Sequence, residues 1–212
     1  MIATLGALGT GFALVYWLKG RGAEGEKGLA LVVAKTAATA CLALAGLVAG
    51  INPLITAGLA FGALGDFALT QKGQRAFLAG LVAFAIGHLL YIPGFLSGFG
   101  APLAPPLWAL ALLPLFLSTF YWLWPHAGAL RLAVACYAAI ISLMGLATLM
   151  VPPGEAREPL RAGVLLFVAS DVILALRLFR LTAPRARQIA SLALWPLYFA
   201  GQGLILLAGL SA

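Results

Sequence analysis

From end to end this chain is divided into apolar runs of about 17 to 23 residues, the length at which a helix crosses roughly 30 Å of hydrocarbon. That pattern admits very few folds, because backbone polar groups in lipid must be satisfied within a helix or around a closed barrel. The strand-length alternation of a barrel is absent, so the expected fold is all-α. Spans are expected at Met1–Leu18, Gly28–Gly50, Pro53–Leu69, Ala76–Phe95, Leu107–Leu123, Arg131–Val151, Arg161–Leu178 and Gln188–Leu210, a bundle of about eight transmembrane helices. The breaks between them are short, so residues 1–212 read as one membrane domain without a soluble module. Pro114 and Pro196 fall inside spans and are expected to kink them. No basic segment precedes the first apolar run, which is therefore expected to be a span and not a cleaved leader.

Composition agrees. Hydrophobic residues make up 63% of the chain and charged ones 9%, against roughly 25% charged in a soluble domain. The net charge of +7 does not point to nucleic acid, because the basic residues sit in short loops and not on a patch with interleaved aromatics. Cys41 and Cys136 lie within spans at no disulfide or redox spacing and are expected to pack. The two histidines, His88 in a span and His126 in a loop, give no ligand spacing, so no metal site is expected. A nucleophile elbow and a phosphate-cradling loop are also absent.

Loop charges orient the bundle, since Lys and Arg are retained on the cytoplasmic side. Eight spans place Lys19, Arg21, Lys27, Lys72, Arg75, Arg131, Arg177, Arg180, Arg185 and Arg187 on one side and only Arg157 and Arg161 on the other. Both termini are thus expected to face away from the cytoplasm. The Ala/Gly/Leu-rich composition points to a GC-rich bacterium and hence to its inner membrane.

Of the six acidic residues, Glu24, Glu26, Glu155 and Glu158 lie in loops, whereas Asp66 and Asp171 lie in spans. An intramembrane aspartate costs about 2.5 to 3.5 kcal/mol on insertion scales and marks a functional site by default. Counted from Thr70 and Arg177 at 1.5 Å per residue, both sit roughly 6 to 9 Å from the cytoplasmic ends of their helices. They share a depth, with Lys35 at a similar level, and meet if the third and seventh spans are neighbours. Gly62, Gly65, Ala169 and Ser170 beside them permit close helix approach. His88 and Tyr91, at i and i+3, and Tyr198 and Gln202, at i and i+4, add polar groups nearer mid-membrane. Each has a structural counterpart: an aspartate paired with a base, a histidine strut between helices, tyrosine anchors, a snorkelling lysine. A small proton-coupled transporter or channel, with Asp66, Asp171 and His88 as a relay, is an alternative, and a nonenzymatic scaffold is another.

Taken in order, Val33-Ala34-Lys35-Thr36, Leu64-Gly65-Asp66, Gly87-His88-Leu89-Leu90-Tyr91, Ser170-Asp171 and Tyr198-Phe199-Ala200-Gly201-Gln202 resemble the motifs of the YhhN family, the lysoplasmalogenases. Thr36 stands where the family pattern carries proline. The resemblance implies an integral membrane hydrolase that cleaves the vinyl ether bond of lysoplasmalogens. The products would be a fatty aldehyde and glycerophosphoethanolamine or glycerophosphocholine. It implies no metal or organic cofactor, a lysophospholipid substrate, membrane lipid as the surroundings and no nucleic-acid partner; it leaves the oligomeric state open. Asp66 and Asp171 would be the acid–base pair, one protonating the β-carbon and the other stabilising the resulting cation. Two neighbouring carboxyls resist ionising together, which leaves one protonated near neutral pH. Lys35, His88, Tyr91, Tyr198 and Gln202 would bind or position substrate. Ala63-Leu64-Gly65 before Asp66 and serine before Asp171 depart from intramembrane aspartyl proteases.

Overall fold

The computed structural model describes residues 1–20, 28–100 and 121–212. Seven long helices occur among them: α1 (Ile2–Gly20), α2 (Leu29–Ala49), α3 (Pro53–Thr70), α4 (Gln74–Gly98), α5 (Arg131–Met150), α6 (Arg157–Phe179) and α7 (Pro184–Leu210), with 3₁₀ turns at Trp124–His126 and Gly128–Leu130. No strand occurs among the described residues, and all seven helices are long and apolar enough to cross a membrane. The fifth expected span, with Pro114, lies outside the described residues except for its last three positions. Helices α6 and α7 start four residues before their expected spans. Charge ends a hydrophobic run without ending a helix: Glu158 suits the positive N-terminus of α6, and Pro184 suits the first turn of α7.

Each helix packs on its successor, and α7 closes the circuit against α1, α2 and α3. The C-terminal ends of α1, α3 and α6 and the N-terminal ends of α4 and α7 meet around one cavity, through Gly20, Leu69, Phe77, Leu178 and Pro184. Helices α4 and α5 both begin at this end, where Phe77 and Val134 share a groove. Lys19, Lys72, Arg75, Arg131, Arg177, Arg180, Arg185 and Arg187 therefore gather at one end of the ring, which we call the basic end.

The α2–α3 hairpin fixes the register of the polar side chains. Gly50 ends α2 in the left-handed region (φ 68°), returning its N–H to Leu47. Asn52 then caps α3 by accepting from the Leu54 N–H at 2.9 Å, with Pro53 in the first turn. Lys35 stands fifteen residues before Gly50 and Asp66 fourteen after Asn52, so equal arms carry both to one level. On the far side, two indoles bind α1 to α7 reciprocally: Trp195 Nε1 donates to the Ala13 carbonyl (3.1 Å) and Trp17 Nε1 to that of Leu192 (3.0 Å).

Close packing is sharpest between α6 and α7, where a Cβ on Gly201 would lie 2.8 Å from the Gly163 carbonyl oxygen and 3.0 Å from the Phe167 nitrogen. These are backbone atoms and cannot rotate away. Gly201→Ala is expected to lower stability by about 1–3 kcal/mol through overpacking, read as thermal unfolding in detergent. Gly203→Ala, which meets nothing within 4 Å, should unfold with the wild type. Leu14, Leu47, Leu64, Leu143, Leu165 and Leu207 are exposed around the ring, the surface a lipid-facing bundle presents. Cys41 is buried as expected, whereas Cys136 is exposed; both are free thiols.

Candidate active site

A cavity of about 620 Å³ opens inside the basic end, and both aspartates line it. Asp66, only 1% exposed, is an ion-pair acceptor: its Oδ1 lies 3.0 Å from Lys35 Nζ. Its Oδ2 accepts from Thr39 Oγ1 and from Tyr198 OH, both at 2.9 Å. The network continues inward: Gln202 Nε2 donates to the Tyr198 hydroxyl at 3.3 Å, and Tyr91 OH donates to Gln202 Oε1 at 2.5 Å. Glycines make room for it, since a Cβ on Gly62 would come within 2.5 Å of the Gln202 amide and one on Gly65 within 2.7 Å of the Phe84 ring. Lys35 also rests near the rings of Tyr16 and Trp195, 5.9 and 5.7 Å from their centroids, within cation–π reach.

Asp171 has a separate set of partners. Tyr137 OH donates to its Oδ2 at 2.7 Å, His88 Nε2 lies 2.9 Å from the same hydroxyl, and His88 Nε2 stands 3.6 Å from the carboxylate. Since the hydroxyl proton is committed to Asp171, the hydroxyl oxygen accepts from a protonated Nε2. His88 is buried, packed edge-on against Phe167 at 4.8 Å, and its Nδ1 has no hydrogen-bond partner among the described residues. The Asp171 side chain is 17% exposed, against 2% for that of Asp66.

All seven residues singled out in the sequence therefore carry polar side-chain contacts, but in two networks. Lys35, Asp66, Tyr198, Gln202 and Tyr91 form one, and His88 and Asp171 belong to the other. Phe84 and Phe167 stand between them, edge-on to Tyr198 at 5.7 and 5.2 Å. Helices α3 and α6 face each other across the cavity and are not packing partners; among the described residues no hydrogen bond joins the two carboxylates. Tyr137 and Thr39 were missed by the sequence reading. A signal existed for both: Thr39 follows Lys35 by one helical turn, and Tyr137 lies six residues from Arg131, just as Asp171 lies six from Arg177. His126, placed in a loop by the sequence, is exposed, with Arg180 Nη1 at 2.9 Å from its Nε2. Among the described residues no group of three metal-ligating side chains occurs.

A ring of membrane-spanning helices around a chamber lined by two carboxylates, one buried and one partly exposed, defines an integral membrane protein with a polar site set into its basic end. The chain belongs to the YhhN family, which residues 30–209 match. It is similar to the cattle protein lysoplasmalogenase TMEM86A, 34% identical over 167 residues, and to the human lysoplasmalogenase TMEM86A, 30% identical over 165 residues. Each alignment covers 74% of this chain and 65% of the relative, so the chain spans just under two thirds of their length. No solved structure matches it.

Proposed function

We propose that this chain is a lysoplasmalogenase, hydrolysing the vinyl ether bond of lysoplasmalogens to a fatty aldehyde and glycerophosphoethanolamine or glycerophosphocholine. The basic end would face the cytoplasm of a bacterial inner membrane. The observation that carries this reading is the pairing of two differently supplied carboxylates on one chamber inside a membrane bundle. Membership of a family with relatives of that name supports it.

The reaction needs an acid and an anion. Proton transfer to the β-carbon of the vinyl ether gives an oxocarbenium ion; water adds, and the hemiacetal collapses to aldehyde and alcohol while the acid regains its proton. Asp66, paired with Lys35 and accepting from two hydroxyls, supplies the fixed negative charge that the cation requires. The partly exposed Asp171, joined to His88 through the Tyr137 hydroxyl, is the carboxyl that delivers the proton. Tyr198, Gln202 and Tyr91 hold Asp66 and its helix in place, and the chamber admits water from the basic end.

The test is aldehyde release from a lysoplasmalogen by protein in proteoliposomes, with the saturated alkyl ether analogue as the blank. Absence of release across both head groups would sink the proposal. Tyr137→Phe keeps the ring and removes the hydroxyl that links His88 to Asp171. We expect kcat to fall roughly 10- to 100-fold with little change in KM, the pattern of an interaction that matters in the transition state. An unchanged kcat would remove Tyr137 from the proton path.

A further inference from the structure

Two arginines on the chamber wall have no role in the chemistry above. Arg177, near the end of α6, and Arg185, in the first turn of α7, line the same cavity as Asp66 and Asp171. Among the described residues neither has an ion-pair partner, and the Nε of Arg177 is buried without a hydrogen bond. Lys35 is held against Asp66 at 3.0 Å. The mouth thus carries two guanidinium groups without an ion-pair partner among the described residues, chemistry suited to a phosphate.

A second feature meets the first. A narrow groove of about 50 Å³, almost wholly apolar, runs beside the chamber past Phe77, Leu81, Val134 and Leu178. Six residues line both spaces, Leu69, Phe77, Phe84, Asp171, Leu174 and Leu178, and Asp171 is the one polar member. Resting on the lysoplasmalogenase reading, we infer that the site takes a single-chain phospholipid in one orientation: phosphodiester between Arg177 and Arg185, the first carbons of the alkenyl chain in the groove, and the bond between them at Asp171. Distances agree. Arg177 and Asp171 are separated by roughly 9 Å along α6, while five bonds join the phosphorus to the ether oxygen across roughly 6 Å. The reach of a guanidinium to a phosphate oxygen supplies the remainder.

The experiment compares two substrates with the same chain, a lysoplasmalogen and the corresponding 1-O-alkenylglycerol without phosphate, for wild type, Arg185→Gln and Arg177→Gln/Arg185→Gln. The preference, taken as the ratio of kcat/KM values within one preparation, cancels any difference in folded fraction. Losing charge-assisted contacts should lower that preference roughly 10- to 100-fold in the double variant. A wild-type preference in the double variant overturns the inference. Binding supplies an arm that does not depend on hydrolysis, because Trp17 and Trp195 line the cavity and report a non-hydrolysable alkyl lysophosphocholine by fluorescence. If the wild type releases no aldehyde, weaker binding by the double variant still supports the phosphate site, and equal binding overturns it. Inorganic phosphate at the same concentration should leave lysolipid binding unchanged; competition would make this a free-phosphate site and overturn the lipid assignment.

Discussion

Replacing Asp171 by asparagine should reduce aldehyde release by about 1,000-fold, within the range a positioned general acid contributes, while the protein stays folded. Asparagine keeps the volume and still accepts from Tyr137 OH, which approaches at 2.7 Å. What it cannot do is deliver a proton to carbon. Because the Asp171 side chain is already 17% exposed and carries no full ion pair, the exchange should move the unfolding temperature little, which separates lost chemistry from lost structure. His88→Gln should fall between this variant and wild type, since His88 contacts the carboxylate at 3.6 Å and acts mainly through Tyr137. Aldehyde release within tenfold of wild type in folded Asp171→Asn would place the acid elsewhere and leave Asp171 a structural acceptor.

The helices were legible because each span obeys a single rule, a run of apolar residues closed by charge, proline or glycine. Pro53 and Arg131 begin both the expected spans and the observed helices for that reason. The shared depth of Lys35 and Asp66 was legible too, since a three-residue turn between equal arms leaves no freedom of register. Partnership was not. His88 and Tyr91 share a face of α4, yet one reaches Tyr137 on α5 and the other Gln202 on α7. Helical spacing states which side chains point together, whereas the order of helices around a ring decides what they meet. Sequence placement likewise treated Asp66 and Asp171 as equivalents. Their difference comes from neighbours on other helices: Lys35 and Thr39 from α2 for one, Tyr137 from α5 for the other.

Lys35→Met should be the most destabilising of the site variants, costing about 3–5 kcal/mol, because it strands a carboxylate among helices with no cation. Asp66 is 1% exposed and Lys35 8%, so bulk water screens neither. Thr39 and Tyr198 would continue to donate at 2.9 Å, but hydroxyl dipoles replace a full positive charge only in part. Asp66→Asn should be costly for the mirrored reason, leaving an ammonium against Tyr16 and Trp195 whose ring faces offset a fraction of its lost partner. The double variant Lys35→Met/Asp66→Asn buries no charge, and replacing a buried pair by neutral groups is often neutral. It should therefore recover most of the lost stability in detergent unfolding, yet release no aldehyde, because the anion facing the oxocarbenium ion is gone. Restored stability with restored activity would show that Asp66 only balances Lys35 and takes no part in the reaction. Stability that stays low in the double variant would instead mean that the fold depends on contacts of the ammonium or the carboxylate that neutral side chains do not replace, such as the ammonium over the rings of Tyr16 and Trp195.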